Sequence, residues 1–167
     1  MVAIADERPE HHAAVAALHR AAFGGDYEAG LVERLRCDGL VVASVVALER
    51  TELVGHVLFS DLVVNIDGRR VSAVALAPMA VRPDRQGCGI GSRLVADGLD
   101  ALRQRGRAAV IVVGHARYYP RFGFSAALAR KLHAPFRGDT FMALELAPGA
   151  LAGRAGTVRY PAAFGVG

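Results

Sequence analysis

The sequence predicts a mixed α/β (α+β) fold, and three observations carry that expectation. Apolar residues switch between strand and helix spacing in the order βααβββαβαβ along the 167 residues. An Asp67-Gly68 pair stands between two long apolar runs, as it would in a tight hairpin. A glycine run, Gln86-Gly87-Cys88-Gly89-Ile90-Gly91, joins an apolar strand-like segment to an amphipathic helix-like one. Alternation of this kind makes layers of helix on a mixed sheet.

Each element has a local cause. Residues 2–5 read as a short strand, followed by a helix with Pro9 in its first turn, where the missing N–H is harmless. Val15, Leu18 and Ala22 recur on one face of that helix, and Gly24-Gly25 ends it. Asp26 is placed to cap a second helix over 26–36 that buries Leu31, Val32 and Leu35. Residues 40–48 and 53–66 are β-branched strands around a polar turn at 49–52. Residues 71–81 form the strand that feeds the glycine run, with Pro78 predicting a bulge or bend. Leu94, Val95, Gly98, Leu99 and Leu102 share one face of a helix over 92–105. Residues 108–113 are almost uniformly apolar, as in a strand covered on both faces. A short helix over 116–122 stops at Gly123, residues 141–146 read as the last strand, and 148–167 read as a Gly/Ala/Pro-rich tail. No repeat or linker divides the chain. A domain over 1–147 with the tail packed on it is expected.

Composition narrows the function classes. With 53% apolar and 22% charged residues the chain can build a core. No apolar run reaches the roughly 18–20 residues of a membrane span, and the first residues lack a basic, apolar leader. The formal charge is +4 and the pI about 9.6, yet the basic residues are scattered arginines with Lys131 the single lysine. No aromatic-rich basic stripe accompanies them, which argues against a nucleic-acid partner. Arg82, Arg85 and Arg93 flank the glycine run and are the candidates for an anionic ligand. Cys37 and Cys88 offer neither a disulfide framework nor metal spacing, so no metal and a reduced, cytoplasmic setting are expected.

The glycine run itself is an anion cradle. Glycines let the backbone turn tightly, and their amides open onto a helix N-terminus whose partial positive charge favours a phosphate. A Walker loop is excluded because Gly91 is followed by Ser92-Arg93 without lysine. A dinucleotide fingerprint is a poor match, since Ser92 stands where the third glycine belongs. The pattern Gln86-x-x-Gly89-x-Gly91 instead resembles the acetyl-CoA pyrophosphate loop of the GCN5-related N-acetyltransferases, the GNAT family. Leu76-Ala77-Pro78-Met79-Ala80-Val81-Arg82-Pro83 is similar to that family's splayed fourth strand. Tyr118-Tyr119-Pro120-Arg121-Phe122-Gly123-Phe124 is similar to its second block, in the form found in the small bacterial YhbS-like group. The resemblance runs over about 3–146. It implies a mostly antiparallel central sheet splayed between strands 4 and 5 and flanked by about four helices.

The resemblance also implies the chemistry: direct transfer of an acetyl group from acetyl-CoA to a primary amine of a small molecule or peptide. The amides of Cys88, Gly89, Ile90, Gly91 and Ser92 would hold the pyrophosphate, with Gly87 shaping the turn and Gln86 or Arg85 closing over it. Met79, Ala80 and Val81 would pair their backbone with pantetheine, and the N–H of Ala80 or Val81 would receive the oxyanion. Tyr119 stands four residues before Gly123, as the family's proton-donating tyrosine does; without the motif it reads as a packing aromatic, as Tyr118 does. A general base is not assigned. Glu33, His56 and His115 are candidates, and water needs no dedicated residue. Cys88 sits inside the phosphate cradle, which argues against a nucleophilic role. Phe23, Tyr27 and Glu33, with Phe136, Arg137 and Asp139 opposite, would wall the acceptor site. The alternative class is an acyl-CoA-binding sensor without turnover, which needs the loop but not Tyr119. A monomer or homodimer is expected.

Overall fold

Helices and strands alternate as the apolar periods require. The computed structural model describes residues 1–166. β1 (Val2–Asp6) leads through a 3-10 turn at Pro9–His11 into α1 (His12–Phe23) and α2 (Tyr27–Cys37). β2 (Val41–Glu49), β3 (Glu52–Ile66) and β4 (Arg69–Val81) follow through short turns, then α3 (Ile90–Gln104) and β5 (Ala109–Val113). Beyond a 3-10 turn at Tyr119–Phe122 come α4 (Ala126–Ala129), β6 (Leu132–His133), β7 (Phe141–Glu145) and β8 (Gly156–Arg159). The sheet runs β1-β2-β3-β4-β5-β7, with β8 beside β3 and β6 beside β8. β1–β2, β2–β3, β3–β8 and β5–β7 pair antiparallel, whereas β4–β5 and β6–β8 pair parallel. Among the described residues no helix is long and apolar enough to cross a membrane.

The chain clusters into two compact units, and β3 and β4 each contribute to both. The first contains Met1–Ser60 and Ala77–Ala101. Its core is built from α1, α2 and α3 against the sheet, with Val15, Leu35, Val57, Phe59, Leu94 and Val95 sealed from solvent. Two close approaches set the position of α3. A Cβ on Gly55 of β3 would stand 2.8 Å from Leu94 Cδ1, and one on Gly98 of α3 would stand 2.3 Å from Phe59 Cε2. Asp26 occupies the capping position of α2, but its carboxylate accepts from Arg20 Nε at 2.8 Å and makes no cap bond.

A buried polar line crosses this unit. The Arg36 guanidinium donates to Glu7 Oε2, and Ser44 Oγ donates to Glu7 Oε1 at 2.7 Å. Ser44 Oγ also meets His56 Nε2 at 2.8 Å, and His56 Nδ1 meets His19 Nε2 at 2.8 Å. Both imidazoles are fully buried. Burial, and then the Arg36 charge, push His19 down to about 4. Burial, with the His19 and Arg36 charges behind it, also holds His56 well below the ordinary imidazole range.

The second unit contains Asp61–Leu76 and the chain from Leu102 onward. Asp67 and Gly68 both take positive φ, 49° and 79°, as a two-residue hairpin turn requires. β4 pairs with β5 only from Ala73–Leu76 to Ala109–Val112, and β4 then continues to Val81. Ala109 to Val112 are fully buried, as their apolar run requires. The segment expected to be a tail is structured: Val63–Ile66 of β3 pair with Arg159–Gly156 of β8. Asp67 accepts from the amides of Arg154 and Ala155, at 2.9 and 3.2 Å, and the Arg69 guanidinium donates to the carbonyls of Ala150 and Ala152. Residues 141–146 are therefore not the last strand. The Gly/Ala/Pro composition that suggested a tail instead supplies the close approach, since a Cβ on Gly156 would lie 2.6 Å from the Asn65 carbonyl oxygen.

Two stability measurements follow from the first unit. Gly98→Ala forces a methyl into the Phe59 ring, and overpacking of this kind costs about 1–3 kcal/mol, read as a lower urea midpoint at unchanged slope. His19 refuses in the folded state a proton that the unfolded chain accepts, so its contribution is intact above pH 6.5 and is lost as pH falls towards about 4. Denaturant titrations across that window should show a loss of roughly 3 kcal/mol from this residue. His19→Leu should flatten the slope.

Candidate functional site

The glycine run begins after a 3-10 turn at Pro83–Arg85. Gly87 and Gly89 have φ of 79° and 85°, a region that side chains with a Cβ rarely occupy. A Cβ at either position would meet nothing within 4 Å. Their glycines are therefore required by the backbone's path and not by crowding. The Gly89 carbonyl accepts from the Arg93 amide at 3.1 Å, which makes Gly89 the capping residue of α3. The amides of Gly89, Ile90 and Gly91 thus have no carbonyl of their own helix to donate to. Residues 86–89 are exposed, whereas Ile90 is 4% exposed and packs with Leu94 over Gly55. The result is a helix start anchored in the core at Ile90 and preceded by an exposed turn.

The flanking arginines are already engaged. The Arg82 amide donates to the Val54 carbonyl at 2.8 Å, and its guanidinium bonds Glu52 at 2.8 Å and Asp84 at 2.7 Å. Arg85 meets Glu49 at 2.8 Å and Asp84 at 3.2 Å. Hydrogen bonds from Arg85 are the first cause holding the Glu49 carboxyl below its usual range, and those from Arg82 do the same for Asp84. Arg93 donates to the Val2 carbonyl at 2.9 Å. Gln86 Nε2 folds back on the Val81 carbonyl at 3.0 Å, and Cys88 is exposed. Of the sequence's phosphate-holding candidates, the Arg85 and Gln86 side chains hold protein groups. Met79 and Val81 are half-buried on β4 and Ala80 is buried.

Tyr119 opens the 3-10 turn Tyr119–Phe122, which Gly123 ends at φ 100°. Its ring is 7% exposed and lies so close to Gly114 that a Cβ there would stand 2.3 Å from Cε2. Tyr118 and Phe124 meet it edge-on at 5.1 and 5.7 Å. Burial, with Tyr118 second, pushes the phenol up to about 12, so it keeps its proton at neutral pH. It is a protonated phenol held in place by aromatic packing. Tyr118 carries the Arg121 guanidinium 4.5 Å over its ring.

The three base candidates have different surroundings. Glu33 is exposed on α2, and His115 is exposed just beyond β5. His56 is sealed, with both ring nitrogens hydrogen-bonded. Sequence reading did not join His56 to His19, Ser44 and Glu7, because no periodicity connects those positions. Only strand register brings Ser44 of β2 near His56 of β3. Among the described residues no cluster of three or more His, Cys, Asp or Glu could hold a metal ion.

Known proteins resemble this chain in sequence and fold. The acetyltransferase (GNAT) domain family matches residues 4–127. The Escherichia coli (strain K12) N-acetyltransferase YhbS is 38% identical over 147 residues, covering 86% of this chain and 87% of its own. The crystal structure of YhbS from Escherichia coli in complex with CoA superposes with a TM-score of 0.89 at 36% identity, covering 98% of this chain and 92% of the other. A GNAT family acetyltransferase from Brucella melitensis in complex with acetyl-CoA gives 0.82 at 32% identity over 98% of each chain. The glycine loop, the strand that leads to it and the aromatic Tyr119 block all fall within the matched span, and on these grounds the chain belongs to the GNAT family of N-acetyltransferases.

Proposed function

We propose that this chain transfers the acetyl group of acetyl-CoA directly to a primary amine of a small molecule or peptide. The observation that carries the reading is the loop: two glycines at positive φ, on the spacing Gln86-x-x-Gly89-x-Gly91, turn an exposed segment into the start of α3. Relatives solved with CoA and acetyl-CoA support that choice of ligand. The amides of Cys88 to Gly91 hold the pyrophosphate, helped by the helix dipole. The backbone of Met79, Ala80 and Val81 pairs with pantetheine, and an N–H at Ala80 or Val81 receives the developing oxyanion. The amine nitrogen attacks the thioester carbonyl, the C–N bond forms, and collapse of the intermediate breaks the C–S bond. Tyr119 gives its phenolic proton to the departing thiolate and regains one through water from the proton that the amine loses.

The test is thiol release from acetyl-CoA over a panel of primary amines, with CoA affinity measured by calorimetry. Tyr119→Phe should lower kcat by about 10²- to 10⁴-fold with CoA affinity within twofold of wild type. CoA binding with no turnover on any amine would favour a sensor and sink the enzymatic reading. Gly89→Ala must hold an alanine at the positive φ this position adopts, a strain of about 1–2 kcal/mol, so CoA should bind roughly tenfold more weakly. Affinity equal to wild type would remove the loop from the site.

A further inference from the structure

Gly114 follows the last residue of β5, and its own conformation does not call for a glycine, since it lies outside the positive-φ region. A neighbour does. A Cβ there would stand 2.3 Å from Tyr119 Cε2, 3.0 Å from Cδ2 and 3.3 Å from Cζ. One edge of the Tyr119 ring therefore rests on the Gly114 backbone. The ring would have to retreat by about 1 Å before a methyl found ordinary contact. The crowded atoms are all ring carbons, which a phenylalanine also has.

The ring is confined by its other neighbours as well. Phe124, which is 3% exposed, meets it edge-on at 5.7 Å, and Tyr118 does so at 5.1 Å. The turn that carries the ring hangs from the residue after Gly114: the amides of Tyr118 and Tyr119 donate to the His115 carbonyl at 3.0 and 3.3 Å. Two of the ring's contacts are also fixed to one ladder. The Gly114 amide donates to the Thr140 carbonyl at 2.9 Å, next to the pairing of Val113 in β5 with Phe141 in β7. Phe124 is followed by Ser125, which exchanges both backbone hydrogen bonds with Ala143, at 2.8 and 3.0 Å. Ala143 in turn pairs with Ile111 of β5. The β5–β7 ladder therefore sets the spacing between Gly114 and Phe124, and with it the place of the ring they both touch.

We propose that Gly114 and Phe124 are positioning residues for the reaction, a seat and a stop that together set where the Tyr119 hydroxyl is presented. This rests on the transferase reading above, in which that hydroxyl protonates the departing thiolate. Both residues act through Tyr119. A proton donor contributes only within hydrogen-bond reach of the atom it protonates, and a misplacement of about 1 Å can cost 10²-fold in rate. A methyl on Gly114 demands a displacement of that size. The bare backbone at this position therefore governs the rate of transfer and leaves the affinity for CoA alone.

Double-mutant cycles on the full chain separate positioning from packing. Gly114→Ala should lower kcat by about 10²-fold and Phe124→Leu by about tenfold, each with the KM for acetyl-CoA within twofold of wild type. In a Tyr119→Phe background the same two changes should alter the remaining kcat by less than twofold, because the hydroxyl they misplace is gone. The fall in urea midpoint should be the same in both backgrounds, since the crowded ring carbons are common to the two side chains. Equal losses of kcat with and without the hydroxyl overturn the proposal, as does wild-type kcat in folded Gly114→Ala. Should Gly114→Ala fail to fold, the Phe124→Leu cycle decides by the same comparison. Wild-type kcat in Tyr119→Phe alone removes the tyrosine from the transferase reading, and the proposal with it. Absence of turnover by the wild-type chain overturns the transferase reading as a whole.

Discussion

The geometry of the loop depends on how closely α3 lies on β3. Two glycines permit that approach, one on each partner: Gly55 lets Leu94 and Ile90 settle against the strand, and Gly98 admits the edge of Phe59. Both contacts are buried and neither has room for a methyl group without displacement. Because Ile90 is the first residue of the helix, packing at Gly55 also fixes the place where the helix begins. The end of the loop is thus anchored by the core.

Charge around that loop is arranged to stabilise protein structure before any ligand arrives. Glu49 and Glu52 at the β2–β3 turn reach Arg85 and Arg82, and Asp84 reaches both. The same arginines that looked like phosphate ligands therefore tie one turn to another. Isolated exposed pairs of this kind contribute little, but a closed set confines the short segment between β4 and the first glycine.

Much of this was legible in the sequence. The hairpin at Asp67-Gly68, the run from strand to glycines to helix, and the doubly covered β5 each follow from local chemistry that tertiary context does not override. The elements after Gly123 were not legible to the same degree. α4 is a single turn, β6 has two residues, and β8 lies in a stretch whose Gly, Ala and Pro content argues against a strand. Their order is imposed by partners far away in the chain. The same holds for side chains: Gly89 and Tyr119 lie in local sequence patterns, whereas His19, Ser44, His56 and Glu7 are united only by register and by helix packing. A lone histidine in a strand gives no sign of the second histidine it will face.

The pairing of β8 with β3 has a consequence for synthesis. Val63–Ile66 acquire their β8 neighbours from Gly156–Arg159, so about ninety residues must leave the ribosome between the two halves of one ladder. Until then, that stretch of β3 presents an unpaired strand edge, the kind of surface that recruits other chains. Completion of the second unit is therefore a late event, timed by translation, and the nascent chain depends on the Asp67 turn and on whatever shields that edge in the interval.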